Sequence, residues 1–210
     1  YGKTTDLTAM GGAQYVHTFD KCFFMPSDLT AGLEYNRDRL KDNMWGYNRH
    51  TDQTVNIYSA FLQNEWKNDR WGILIGGRLD KHNMVDNVIF SPRANLRFNP
   101  TQNINLRLSY SSGFRAPQAF DEDMHIENVG GTVAMIERAK DLKEEKSQSF
   151  SASADMYHRF GAFQTNLLIE GFYTRLTDVF VLGEPYDRGD GILVKTRSNG
   201  PGAKVMGLTL

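Results

Sequence analysis

Apolar and polar residues alternate along most of this chain. In Ile104, Leu106, Leu108 and Tyr110 the even positions are apolar, and Asn103, Asn105, Arg107, Ser109 and Ser111 between them are polar. From Val88 to Phe98 the apolar set is Val88, Phe90, Pro92, Ala94, Leu96 and Phe98, against Ser91, Arg93, Asn95 and Arg97. From Ser147 to Tyr157, Phe150, Ala152, Ala154 and Met156 face a ladder of serines ending at Asp155. Similar stripes run through Leu29, Ala31, Leu33 and Tyr35, through Trp71, Ile73, Ile75 and Leu79, and through Thr165, Leu167, Ile169, Gly171 and Tyr173. A period of two places one set of side chains on each face of a β-strand, so these segments are predicted strands with an apolar and a polar face. The stretch around Thr132 to Lys146 is the single segment that reads as a helix, and it lacks a clean cap.

The connections alternate as well. Short turns are expected at Lys67-Asn68-Asp69-Arg70, Asn99-Pro100-Thr101-Gln102 and His158-Arg159-Phe160-Gly161-Ala162. Between them lie longer polar stretches at 41–52, 80–87, 112–146 and 183–202. Short and long connections therefore fall at opposite ends of one antiparallel meander. A soluble sandwich has no reason to segregate them so, whereas an outer-membrane barrel has short periplasmic turns and long external loops. The apolar stripes at 88–98, 103–111 and 147–157 carry no charge, while Arg93, Arg97, Arg107 and Asp155 fall on the polar stripe. A charge facing lipid at mid-depth costs ~2–4 kcal/mol, so this segregation suits a barrel wall. Trp66 and Trp71 flank one short turn, and Tyr157, Phe160 and Phe163 flank another, as an interfacial aromatic girdle would.

Composition agrees once the alternation is seen. The chain has 210 residues, 40% hydrophobic and 12% aromatic, with 24 Lys+Arg against 25 Asp+Glu and a net charge of -1. The balance argues against a nucleic-acid partner, which needs a basic field. Mean hydropathy is -0.50, and no apolar run approaches the ~18 residues of a membrane helix. A barrel wall has this property too, because its lipid face is averaged with a wet lumen face. The one cysteine, Cys22, has no internal disulfide partner and reads as a tolerated thiol. The chain starts at Tyr1 without Met and stops at Leu210 inside a strand-like run, which reads as an excised piece of a longer protein.

Specific residues sharpen the class. Gly113-Phe114-Arg115-Ala116-Pro117, after a strand ending Leu108-Ser109-Tyr110-Ser111-Ser112, resembles the G-[FY]-R-[AS]-P segment of TonB-dependent outer-membrane receptors. Asp141-Leu142-Lys143-Glu144-Glu145-Lys146-Ser147 resembles that family's L-K-P-E-K-[ST], with Glu144 where Pro is usual. Phe172-Tyr173-Thr174-Arg175-Leu176-Thr177-Asp178-Val179-Phe180 is similar to F-x-T-x-x-x-D-x-I, and the run Ser198 to Leu208 to N-x-G-x-A-x-x-x-G-[VL]-E. The resemblance spans roughly Val55 to Leu210 and is nearest in style to receptors of the Bacteroides group; the first fifty residues match by strand pattern alone.

The resemblance implies an all-β fold, an antiparallel meander from a 22-stranded transmembrane β-barrel. At ~20 residues per strand and connection this chain supplies about ten strands. Residues 1–210 are then a partial barrel domain, with the plug domain and C-terminal closing strand absent. It implies an outer-membrane receptor that takes up a scarce bulky ligand. Cobalamin or a ferric siderophore is favoured, with haem or a glycan behind them. The implied partners are the TonB-ExbB-ExbD complex, reached through the missing N-terminal part, and the lipid bilayer.

Candidate ligand-binding residues lie in the long loops. Arg115 either shapes the ligand mouth or packs inside the barrel while Pro117 ends the strand; the missing N–H of proline favours packing. Phe114 to Pro117 also resembles the first box of haem receptors, and His125 follows in the interval where their axial histidine lies. The second box is here Lys140-Asp141-Leu142, without the expected Asn-Pro, which counts against haem. Asp121, Glu122 and Asp123 form an acidic run, and Asp121 and Asp123 are the candidates for a loop calcium, which needs 6–8 oxygen ligands. Tyr186 and Arg188 complete the loop candidates; the stretch Asp187-Arg188-Gly189-Asp190-Gly191 reads first as a turn. No cofactor is required beyond such a calcium. Gly76-Gly77 and Gly130-Gly131 lack a strand–loop–helix context for phosphate. No catalytic set stands out, so an enzyme is not expected. The rival readings are an outer-membrane barrel enzyme, for which His17, His50, His82, His125 and His158 lack a serine partner by pattern, and a soluble β-sandwich binding module.

Overall fold

A computed structural model describes residues 2–118, 127–129, 132–189 and 191–210. Among these, strands dominate, and the one helical element is a single 3-10 turn at Trp45–Tyr47. Among the described residues no helix is long and apolar enough to cross a membrane. The strands are β1 (Gly2–Cys22), β2 (Met25–Met44), β3 (Arg49–Lys67), β4 (Trp71–His82), β5 (Ile89–Thr101), β6 (Ile104–Arg115), β7 (Glu127–Val129), β8 (Thr132–Arg138), β9 (Glu145–Phe160), β10 (Phe163–Thr177), β11 (Phe180–Leu182), β12 (Tyr186–Asp187), β13 (Leu193–Asn199) and β14 (Ala203–Thr209). Nine of them form one wall in the order β1-β2-β3-β4-β5-β6-β9-β10-β14, and every neighbouring pair in it is antiparallel. This is the expected meander, with nine wall strands against the about ten anticipated.

Register carries the alternation across the wall. Tyr58 pairs with Tyr35, Ala60 with Leu33 and Leu62 with Ala31. Ile75 pairs with Ala94 and Trp71 with Phe98. Leu108 pairs with Leu96 on one side and Ala152 on the other. Directly opposed residues share a face, so one face is predominantly apolar, with Asn64 between Leu29 and Ile75 as a polar member. Leu33, Leu62, Ile75, Phe90, Leu108 and Phe150 all lie exposed on it. On β4 the stripe Trp71, Ile73, Ile75, Gly77 and Leu79 ends at Lys81. A band of about nine residues between aromatic and charged ends matches the ~9–11 residues of a transmembrane strand. Rings pair at its margins, Trp71 with Phe98 at 4.2 Å and Tyr35 with Tyr58 at 4.9 Å.

The opposite face holds ion pairs and hydroxyls. Arg78 bridges Glu34 at 2.6 Å and Asp80 at 2.8 Å, and Ser59 donates to Asp80 at 2.6 Å. Serine and threonine line the β6–β9–β10 part, where Ser149 and Thr174 hydroxyls meet at 2.9 Å. Large rings on this face lie over glycines: a Cβ on Gly207 would sit 2.6 Å from the Phe172 ring.

Connections fall as the segregation predicted, with short turns at 23–24, 68–70, 102–103 and 161–162 and the others at the opposite end. Three local expectations are corrected. The stretch 41–52 is not a long loop: β2 runs to Met44 and β3 begins at Arg49, because the two strands keep pairing through Met44↔Arg49. The turn expected at 99–102 is displaced, since β5 continues past Pro100 through an irregularity to Thr101, which pairs with Ile104. The helical reading of 132–146 fails: 132–138 is strand β8, because a partner distant in sequence, β13, satisfies its backbone.

The described residues of the two longest connections, 116–144 and 178–202, include further strands. They form a second sheet in the order β11-β13-β8-β7, with β12 also on β13. Its β13–β8 pair is parallel. The small buried core lies beneath this end, where Val85, Ile89 and Ala116 cluster against Phe114. Met135 and Val194 are buried in the loop sheet itself.

Candidate functional site

The motif segments converge at the base of the two long loops. β6 ends at Arg115, whose cross-strand partner is Glu145, the first residue of β9. The Arg115 guanidinium lies over the Phe180 ring, 5.5 Å from its centre. The Phe180 N–H donates to Glu145 Oε2 at 2.8 Å. Asn199 then joins three segments: its Oδ1 accepts the Lys143 N–H at 2.7 Å, and its Nδ2 donates to the carbonyls of Lys143 at 3.1 Å and Asp178 at 2.7 Å. This is the amide orientation that satisfies all three partners. Asp178 sits in the left-handed region at φ 55, which turns the chain out of β10. Glu144, next to this junction, pairs with Lys146 at 3.0 Å. Burial alone would push its carboxyl up, but its own backbone N–H and Lys146 outweigh burial and hold it below the ordinary value.

Above the junction, the loop sheet and the β2–β3 connection enclose a cleft of about 680 Å³. Its lining includes Arg49, His50, Arg138, Lys140 and Arg188, with Glu137 as the acidic member. Arg138 Nη1 donates to Gln53 Oε1 at 3.0 Å and to the Pro117 carbonyl at 2.9 Å. Arg188 donates to the Tyr47 carbonyl at 3.3 Å and lies 3.9 Å from Glu137. Arg49 is held by the buried Asp42 at 2.8 Å. These contacts fix three arginine side chains along the lining of one cleft. Arginine's planar fork suits carboxylate or similar oxyanion ligands.

Beside the cleft, His82 is fully buried at the end of β4. Its Nδ1 accepts the Met84 N–H at 3.0 Å, and its Nε2 lies 3.2 Å from Gln118 Oε1. One nitrogen accepts and the other donates, so both bonds are made by the neutral ring. The sequence marks His82 only as a histidine without a serine partner, and nothing in it singles out Arg49 or Arg138. Burial and a cross-loop sheet give them their positions, and neither leaves a local pattern.

A family profile described as "TonB dependent receptor-like, beta-barrel" matches residues 1–210. The chain belongs to this family. No curated protein matches it by sequence. Among solved structures it is similar to the siderophore receptor PirA of Pseudomonas aeruginosa, at 17% identity and a TM-score of 0.78, covering 99% of this chain and 39% of that one. It is similar to the ferric enterobactin receptor PfeA of the same organism in complex with enterobactin, at 20% identity and TM-score 0.71, covering 99% and 33%. The FrpB iron transporter of Neisseria meningitidis follows at 16% and 0.67, covering 98% and 33%. The chain thus spans between a third and two fifths of the receptors it matches. At these identities the likeness shows the fold: an antiparallel segment of a TonB-dependent receptor barrel, in a family of outer-membrane proteins.

Against that family background the predicted loop residues separate. Arg115 closes β6 and engages Phe180, which is the packing alternative, and Pro117 follows the strand end. Arg188 lines the cleft. Tyr186 lies on β12 opposite Val194, half exposed and outside the cleft lining. The stretch from Asp187 is a turn, with the Gly189 N–H bonded to Asp187 Oδ1 at 2.7 Å. Asp121, Glu122, Asp123 and His125 lie outside the described residues. Among the described residues no three His, Cys, Asp or Glu side chains gather as a metal site.

Proposed function

We propose that this chain is part of the wall and ligand mouth of a bacterial outer-membrane receptor that takes up a ferric siderophore. Uptake would be energised by the TonB-ExbB-ExbD complex. The observation that carries the ligand class is the cleft that Arg49, Arg138 and Arg188 line together with Lys140 and His50. Ferric complexes of catechols and carboxylates are bulky oxyanions, and a cationic mouth raises their local concentration and on-rate. The solved relatives described as siderophore and ferric enterobactin receptors support the same reading. Cobalamin is second, because nothing in its chemistry asks for a guanidinium cluster. Haem and glycans stand behind it. Transport on this reading is physical movement, with no bond made or broken, so the chain is not an enzyme.

The test is deletion of the parent gene, followed by growth and uptake with ferric enterobactin, ferric citrate, haem or cobalamin as the sole source. Loss of uptake of a ferric chelate, restored by the natural gene and not by an Arg138→Ala, Arg188→Ala copy, supports the proposal. Unchanged uptake of every ferric chelate overturns it, and loss of cobalamin uptake alone would transfer the role to the second reading.

A further inference from the structure

The cationic cleft depends on a strand pair that the chain does not specify locally. β8 belongs to one long loop and β13 to the other, and they pair in parallel from Leu193↔Ala134 to Arg197↔Arg138. A one-residue slip would send every β8 side chain to the other face, removing Arg138 from the cleft. Between such strands no turn sets the register, unlike a hairpin. Burial of Met135 and Val194 favours one register, and contacts at the end of the pair add to it.

That end is where Asn199 lies, two residues beyond Arg197, with Lys143 five residues beyond Arg138. The next backbone bond, Ala139 N–H to the Arg197 carbonyl at 2.9 Å, leads directly into it. We propose that Asn199 is a positioning residue: its carboxamide pins the register of β8 on β13 and thereby sets Arg138 in the ligand mouth. The role of that mouth rests on the siderophore reading above, while the register pin stands on geometry alone. Three features make the side chain fit. It bonds the Lys143 peptide on both its N–H and its C=O, so neither a slip toward Leu142 nor one toward Glu144 preserves both bonds. It ties the same amide to the Asp178 carbonyl, where the second loop leaves β10. The following Gly200 is in close contact with Val181, where a Cβ would stand 2.7 Å away, so β11 closes over the pin.

The test uses the full parent receptor in outer-membrane vesicles. Asn199→Asp is nearly isosteric, but at pH 7 its carboxylate faces two carbonyl oxygens and cannot donate to either. Once protonated, it regains one donor and keeps its acceptor. Amide exchange, corrected for the intrinsic pH dependence, is followed over 132–138 and 193–199. At pH 7 the Asn199→Asp receptor should lose about ten-fold protection there, with the wall strands unchanged. At pH 4.5 most of that loss should be recovered. Asn199→Ala should lose protection at both pH values, and it serves as the control for the neighbouring carboxyls Glu144, Glu145 and Asp178. Full protection of Asn199→Asp at pH 7, or identical profiles for the two variants, overturns the inference. Uptake of ferric enterobactin by the same strains is read separately. If the natural receptor carries no ferric chelate, the function fails while the exchange result still decides the pin.

Discussion

Arg115 stands over the face of Phe180, 5.5 Å from the ring centre, although the two lie on different strands separated by a long loop and two β-hairpin arms. The contact joins the end of β6 to the second long loop through a ring and not through a ligand. Cation–π contacts of this kind are worth about 0.5–2 kcal/mol. Phe180→Leu should keep the apolar contact and lose the quadrupole, lowering the stability of the loop base by about 0.5–1 kcal/mol. Exchange of the amides of 178–182 in the parent receptor measures it. An equal effect of Phe180→Leu and Phe180→Tyr would remove the cation–π account.

Gly202 lies against backbone. A Cβ there would stand 2.6 Å from the Leu176 carbonyl oxygen, which cannot rotate away as a side chain would. Gly202→Ala should force β14 off β10 and cost about 1–3 kcal/mol. The urea midpoint of the refolded receptor in lipid vesicles reads the loss. Gly171→Ala is the control, since its nearest neighbour, Leu208 Cδ1, would be at an ordinary 3.7 Å.

The two faces of the wall make opposite predictions for one substitution. Leu108 and Ser153 sit on adjacent strands at neighbouring rungs, Leu108 opposite Ala152 and Ser153 opposite Arg107. Leu108→Lys places a charge on the lipid face and should cost about 2–4 kcal/mol, cutting the fraction of receptor assembled in the outer membrane. Ser153→Lys lies on the polar face beside Glu170 and should leave assembly near the natural level. Equal assembly of both would argue that the apolar face meets something other than lipid.

Acid should loosen the loop end before the wall. His82 lies past Lys81, beyond the lipid-facing stripe of β4, and the bond its Nδ1 accepts from the Met84 N–H needs the neutral ring. The unfolded imidazole takes up a proton below about pH 6.5, while the folded one must give up the Met84 bond to do so. Its contribution is therefore complete above that pH and is lost as pH falls. Glu144, held below its ordinary value, adds a second loss in the same direction at lower pH. Exchange at Met84 and Val85 should accelerate between pH 7 and 5 in the natural receptor. The same acceleration in His82→Gln would show that the imidazole is not responsible.

Much of the wall was legible because a strand's side chains have a period of two and charge on a lipid face is costly. Leu106, Leu108 and Tyr110 read as one face without any knowledge of their partners, and register confirmed it. The motif segments were visible too, but not their purpose. Arg115, Lys143, Asp178 and Asn199 look like four unrelated polar residues until the fold brings them to one junction. β8 is a strand where the sequence suggests a helix, because Val133-Ala134-Met135-Ile136 has no local feature that marks a parallel partner about sixty residues away.

By itself the sequence determined the class of fold, the alternation of short and long connections, and which face is apolar. Each of these follows from neighbours along the chain, and each survives any change in how the loops fold. The tertiary structure alone decided that the two longest loops form one sheet, that Asn199 joins them, and that Arg49, Arg138 and Arg188 share a cleft. Those relations depend on contacts between residues far apart in the chain, and loop closure at such distances leaves no periodic trace in the sequence.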